Sequence, residues 1–461
     1  MMARERNTKL TAVIKELGWS QAQVAARFVR VAAEIEATEL LGTSRSHVSM
    51  WVLGTQPAGA APAILCEVLS RGLQRPVTPA EIGLGPTAPG APTVDLWPAD
   101  TLTALLDLGG SDLDMERRQV LANTAYSAAG LSLPGQSWWD QAPHQAHARR
   151  SSTLRVGRSE IEAIREMTAF FSRRDQQRGG GDGRAAVVAY LRTEVAAYLN
   201  GTFPTDAIRR ELYSAAGELV YLCGWMAFDA SQQAVAQRYL TLAVRLAAEA
   251  DDPPLAGHIL RALAHQAVDL GHRNQALDLG AASIERKRYT LATPREKALI
   301  GVVHARSLAA AGRKRDALAA LLRAENDLDA ATSGGHEPSR VFFFSEASLA
   351  HETACALRDL GDLEGAQREF QRSVRTRGQA FGRTHAVTLG YLGAVQAQQG
   401  SIEAACATWT RALDAMEGVH SGRAHDTVIS MRRALSPYRQ RGGTAVADLD
   451  ARARAALAHV G

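Results

Sequence analysis

The chain has 461 residues, about three domains' worth at roughly 150 residues each. At 46% hydrophobic and 22% charged it can bury a sizeable core, which excludes global disorder. Lys and Arg number 52 against 48 Asp and Glu, and a net charge of +4 neither demands nor excludes an anionic partner. Aromatics make up only 6% and alanine is abundant, so an all-α fold is expected. Cys66, Cys223, Cys355 and Cys406 stand at no metal-ligand or redox spacing, and read as small buried side chains in a reducing cytosol.

Residues 1–85 form the first block. LTAVIKEL sets Leu10, Val13, Ile14 and Leu17 on one helix face, and Gly18 ends it. Ser20 and Gln23 form a capping box for a second helix, QAQVAARF, with Val24, Ala25 and Phe28 facing inward. RVAAEIEATELLG follows, longer than a simple turn and able to form its own helix or a wing. Ser44 then caps a third helix, RSHVSMWVLG, which Gly54 and Pro57 stop.

Gly18-Trp19-Ser20-Gln21, Ser44 to Trp51 and Gly54 carry a resemblance to the phage-repressor-like (Xre-type) helix-turn-helix family. The tail Leu65–Leu69 and Arg75 to Pro79 fits the variant that actinobacterial regulators join to tetratricopeptide repeats. The resemblance implies that the third helix enters the major groove of double-stranded DNA. Arg45, Ser46, Ser49 and Met50 would then face bases, with Ser44 at the cap. Val48 and Trp51 would pack inward, and Gln21 would grip phosphate. Met50 and Val52 stand where polar or basic residues are expected, which leaves Arg45 as the strongly polar reader. Block 1–85 holds nine Lys/Arg against seven Asp/Glu, a net of +2. The cations come early, with Arg4, Arg6, Lys9, Lys15, Arg27 and Arg30 opposing Glu5 and Glu16 before residue 34. So few phosphate contacts suit a homodimer better than a monomer.

Residues 86–112 are expected as a Pro/Gly-rich linker, because no helix traverses Pro86, Pro89, Pro92 and Pro98. A helical middle region, 113–204, follows. In it, Arg117-Arg118 before VLANTAYSAAGLSLP superficially resembles an export signal. Its apolar part of about 14 residues is shorter than the roughly 20 needed to span a bilayer, so a buried helix is expected. LPGQSWWDQAPHQAHARRSS reads as a weak, broken region. Ser159 with Glu162 reads as a capping box for EIEAIREMTAFF. Arg178-Gly-Gly-Gly-Asp-Gly-Arg184 lacks the Lys-Ser/Thr of a phosphate loop and reads as a loop and helix start.

From residue 205 the chain repeats. Ser231–Ala236–Ala243, Gly271–Ala276–Ser283, Gly312–Ala317–Ala324, Gly361–Ala366–Ser373 and Gly400–Ala405–Ala412 share one spacing. Seven residues before each unit stands Gly224, Ala264, Ala305, Ala354 or Gly393, and successive units lie 40, 41, 49 and 39 residues apart. Close-packed helix pairs around a tight turn need this pattern: glycine makes the turn, and small residues let backbones approach. A sixth unit, a terminal cap, is expected around Gly442 and Ala447. The pattern resembles tetratricopeptide repeats with a lengthened period. It implies a right-handed α-solenoid over 205–461, with Tyr221, Trp225, Phe228, Arg261, His265, Arg306, His351 and Arg358 along its groove. Aromatics beside arginines suit an apolar anchor next to a carboxylate or phosphate clamp. Peptide sensors of similar architecture often hold the peptide backbone with asparagine amides, and no groove position here is asparagine.

His351-Glu352 lacks the second histidine of a zinc protease, and the remaining histidines are scattered. No catalytic residue, metal site or cofactor is therefore assigned. The sequence reads as a cytoplasmic, non-membrane transcriptional regulator that binds DNA as a homodimer. Its repeats would sense a small molecule, a peptide or a protein. The alternative is a tetratricopeptide interaction scaffold with a degenerate helix-turn-helix that no longer binds DNA.

Overall fold

The computed structural model describes residues 5–35, 37–84, 97, 100–114, 126–127, 133–147, 152–331, 336–438 and 443–458. Among them every element is helical, apart from one isolated bridge between Arg155 and Thr202. No helix there is long and apolar enough to cross a membrane.

The head consists of α1 (Thr8–Glu16), α2 (Gln21–Glu34), α3 (Arg45–Val52) and α4 (Ala61–Leu73). The Ser20–Gln23 capping box forms: the Ser20 amide donates to Gln23 Oε1 at 2.8 Å, and the Gln23 amide to Ser20 Oγ at 3.2 Å. The stretch after α2 divides. Its first half continues α2 to Glu34, and the rest carries a 3-10 turn at Thr38–Leu40. Leu10, Phe28, Val48, Trp51 and Leu65 close a core of their own, with the Phe28 and Trp51 rings 5.2 Å apart. Asn7 ties the head's ends together. It caps α1 through the Leu10 amide, donates its side-chain amide to the Ile82 carbonyl and its backbone amide to the Val52 carbonyl.

The expected linker ends earlier than residue 112. Residues 85–96 and 98–99 lie outside the described residues, but α5 spans Thr101–Leu113, with Asp100 accepting from the Thr103 amide as its cap. The stretch 115–134 lies outside the described residues except for Tyr126, Ser127, Leu133 and Pro134. The weak region is helical over α6 (Gln136–His147), with Pro143 inside. α7 (Arg158–Arg178) is capped two residues before the expected Ser159. Gly157 is the N-cap, and its amide donates to Glu160 at 2.7 Å, so Glu160 rather than Glu162 closes the box. α8 (Arg184–Tyr190) continues through a π-helical turn (Leu191–Val195) into α9 (Ala196–Leu199).

Helical hairpins follow: α10 (Asp206–Asp229) with α11 (Gln233–Glu249), and α12 (Pro253–Asp269) with α13 (Arg273–Ser283). After short α14 (Lys287–Thr290) come α15 (Pro294–Ala310) with α16 (Lys314–Ala331), and α17 (Glu346–Asp359) with α18 (Leu363–Thr376). Next are α19 (Gly382–Gln398) with α20 (Ile402–Ala415), and α21 (Gly422–Leu435) with α22 (Gly443–Ala458). Each pair packs together and against the next.

The repeat residues explain the hairpins. Ser231, Gly271, Gly312, Gly361 and Gly400 all have positive φ, between 61° and 84°. Each turn repeats the same two bonds, as when the Gly271 amide donates to the Val268 carbonyl and the His272 amide to the Ala267 carbonyl. Ala236, Ala276, Ala317, Ala366 and Ala405 are fully buried. A methyl group on Gly393 would lie 2.5 Å from Trp409 Nε1, which is why no side chain stands there. The long 49-residue interval holds an insertion before α17, with a 3-10 turn at Ser339–Val341 and buried Phe344. The sixth unit departs from the pattern. Gly442 lies outside the described residues and Ala447 is exposed; Val446, Leu449 and Ala453 face the core instead.

The first hairpin also touches the last two. Arg383 at the start of α19 bonds Asp229 at 2.6 Å and approaches Asp175 at 3.2 Å. Ser231 Oγ donates to Asp426 at 2.8 Å. The glycine run after α7 lies in this seam. The Gly180 amide donates to Asp229, Gly181 donates to the His420 carbonyl, and His420 donates to the Arg178 carbonyl. A Cβ on Gly180 would fall 2.2 Å from the Met226 carbonyl oxygen, so the close approach requires glycine.

Candidate functional site

Two places gather the residues singled out in the sequence. The first is the amino-terminal end of α3. Ser44, Arg45, Ser46 and Met50 are exposed, and Ser49 and Gln21 are half-buried. Val48 and Trp51 point into the head core as expected. The Ser44 amide donates to His47 Nδ1 at 3.1 Å, so His47 completes a cap that the sequence assigned to Ser44 alone. Arg6, Lys9, Lys15 and Arg30 are exposed on the head, whereas Arg27 lies over the Trp19 ring at 4.0 Å. Arg4 lies outside the described residues. Leu41, Met50 and Leu53 add exposed apolar surface around α3.

The head docks on the hairpins through α4. Gln74, with left-handed φ of 55°, donates to the Gly271 carbonyl and accepts from the Arg273 amide. Buried Glu67 accepts from His272 Nε2 at 2.7 Å, and Tyr126 stacks on the His272 ring. Burial works to raise the Glu67 carboxyl. The His272 hydrogen bond and the Arg71 charge outweigh it and hold Glu67 below the usual carboxylate range. Arg71 also bonds Glu34 of α2 through both terminal nitrogens. This docking leaves Arg45, Ser46 and Met50 exposed in the whole chain.

The second place is a cavity of about 60 Å³ among α7, α10, α12, α15, α17, α19 and α21. Of the residues singled out in the sequence, Trp225, Arg261, His265 and His351 line it. Tyr221, Phe228 and Arg306 stand one layer back. The Tyr221 hydroxyl accepts from Arg261, and Phe228 lies under the Arg423 guanidinium at 5.0 Å. Buried Arg306 is spent on Asp269 at 2.9 Å, Glu352 at 2.8 Å and His265 Nε2 at 3.1 Å. Arg358 is not in the lining. It stands two turns, about 10 Å, beyond His351 on α17, where it bonds Asp359 and lies over the Tyr391 ring.

Sequence reasoning missed Arg377, Arg383 and Arg423, together with Phe343 and Phe344 from the insertion. The arginines sit just outside or at the first turn of their helices, off the periodic positions; the 49-residue interval was the one signal for the insertion. Arg383 and Arg423 are engaged by Asp229, Asp175 and Asp269. Arg377 bonds only the Ala347 carbonyl and Ser373 Oγ among the described residues, and burial holds its guanidinium down to about 10.

The buried His351 and Cys355 are in contact. Thr388 Oγ1 donates to the Thr384 carbonyl, so it accepts from His351 Nδ1 at 2.9 Å. His351 Nε2 is then the acceptor that faces Cys355 Sγ at 3.9 Å, and burial pushes that thiol up to about 12, away from the thiolate a nucleophile needs. No cluster of three or more His, Cys, Asp or Glu able to hold a metal occurs among the described residues.

Residues 10–85 match the family described as the SP15 N-terminal domain, the stretch that closes the head core. No curated protein matches the chain, and no solved structure does.

Proposed function

We propose that the chain is a cytoplasmic, sequence-specific DNA-binding regulator. In this reading the head is an Xre-like helix-turn-helix that places α3 in the major groove. The hairpins are a right-handed solenoid of tetratricopeptide-like repeats that mediates dimerisation and senses a ligand or partner. The observation that carries it is the position of α3: the head is held by α4, while one face of α3, with Arg45 and Ser46 in its first turn and Met50 in its second, stays open to solvent. The positive end of its helix dipole and the exposed cations of α1 and α2 suit a phosphate backbone. Ser49 and Arg45 are within reach of base edges once α3 is in the groove, and Arg45 suits a guanine.

Selection from random duplexes, followed by anisotropy titrations over a salt series, tests this. A recovered motif is expected, with affinity falling steeply as salt rises. Arg45→Ala should cost about 1–3 kcal/mol and relax preference at one base pair. Failure to recover any motif would sink the reading.

A second reading has an observation of its own. Leu41, Met50 and Leu53 are 42%, 45% and 46% exposed around α3, an apolar surface that suits a protein partner better than DNA. An interaction scaffold would then be the function. Met50→Lys separates the two readings, since it should strengthen DNA binding and weaken protein docking.

A further inference from the structure

Four arginines and one glutamate line the cavity, but most of that charge is already answered. Arg383 and Arg423 face Asp175, Asp229 and Asp269, and Glu352 is held by Arg306. Two cations remain without an ion-paired carboxylate among the described residues, although Glu352 acts on Arg377 through space. Arg261 is 2% exposed, and its guanidinium meets the Tyr221 hydroxyl, His258 Nε2 and the faces of Trp225 and Phe343 at 5.3 Å and 5.9 Å. Its Nε has no hydrogen-bond partner among the described residues. Arg377 likewise keeps its Nε unpartnered among the described residues, and its hydrogen bonds go to neutral groups. Aromatic faces offset only part of the cost of burying a guanidinium, so both arginines are poised for an anion. The rest of the wall supplies Trp225, Phe343, Phe344, Leu299 and Val387 for an apolar body.

Size narrows the class. A water needs roughly 10–15 Å³ of such space, so the 60 Å³ here holds about four to six waters. That volume suits a small molecule better than a peptide strand. We propose that the cavity binds a compact organic anion, an apolar or aromatic body bearing one carboxylate or phosphate, with Arg261 and Arg377 as its clamp. This names a ligand class for the sensing site of the proposed regulator, and it rests on that reading only for any effect on DNA.

Calorimetric titration of the full chain without DNA tests it, using phenyl phosphate, benzoate and the neutral benzamide. At least one anion should bind saturably, one per chain, and at least tenfold more tightly than benzamide. Whichever anion binds more tightly assigns phosphate or carboxylate. Arg261→Gln and Arg377→Gln should each weaken the anion tenfold or more, with Arg377→Lys recovering part of the loss. Equal binding of benzamide, absence of saturable binding by both anions, or unchanged affinity in both Gln variants overturns the proposal. Should a variant fail to fold, the anion–benzamide comparison on the unaltered chain still decides. Anion binding that leaves duplex affinity unchanged upholds the clamp and overturns the sensing reading.

Discussion

Several buried imidazoles surround the cavity, and their protonation sets a pH dependence. Burial first, then neighbouring arginines, holds His258 down to about 4; burial likewise holds His351 down to about 3. Unfolded, both would protonate near 6.5, so between those values the unfolded chain binds more protons. Their contribution to stability is complete above pH 6.5 and falls as pH drops toward 4 and 3. The slope is about 1.4 kcal/mol per pH unit for each histidine. Glu296 and Glu352, held down to about 2 against their own burial by His258, Arg340 and Arg306, add a second loss between 4.5 and 2. Urea midpoints at pH 7.5, 6 and 5 should therefore decline from the first interval onward, and His351→Gln should flatten the slope. Midpoints unchanged down to pH 5 would refute the neutral-imidazole assignment. At this scale the sequence was half legible. Trp225, Arg261, His265 and His351 occupy a periodic helix face and were found, whereas Arg377, Arg383 and Arg423 reach the same space by tertiary closure, which no local period encodes.

Among the elements, the five hairpin turns were the clearest part of the sequence, because one backbone conformation and one close approach impose the same small residues each time. One turn is an exception. Ser231 holds φ of 61° where the other four units have glycine. A left-handed L-residue costs about 1–2 kcal/mol. The Ser231 hydroxyl offsets it by donating to Asp426 across the seam, a bond worth about 1 kcal/mol. Ser231→Gly should thus be nearly neutral alone, and stabilising by about 1 kcal/mol in an Asp426→Ala background. A double-mutant cycle by chemical denaturation measures this, and the same effect in both backgrounds would refute the compensation. Helix starts were less legible. Gly157 caps α7 with a backbone amide alone, so Ser159 offered a better-looking but false beginning. Helix α5 was hidden behind the prolines that precede it.

At the level of the whole molecule, Glu34, Arg71, Glu67 and His272 form a continuous polar chain from α2 to the second hairpin. Only the Arg71–Glu67 pair, four residues apart on one helix, is readable from sequence; Arg71 and Glu34 lie 37 residues apart, and His272 and Glu67 205. The seam is equally non-local. Arg383 neutralises two buried carboxylates there, and burial pushes Asp175 up to about 7 despite that arginine. Arg383→Met should cost about 3–5 kcal/mol by leaving both unpaired. Scanning calorimetry should then show two transitions in place of one. A single transition at the original temperature would show that the seam carries no stability.

An array with loose ends behaves as a spring: it changes pitch locally, and its terminal units fray before its centre. With the end of its first hairpin bonded to the first helices of the fifth and sixth through Arg383 and Ser231, this array closes on itself like a hoop. Curvature gained at one hairpin must be surrendered by the others, so a small molecule seated inside would alter the whole circumference, including the distant rim at His272 on which the head is mounted.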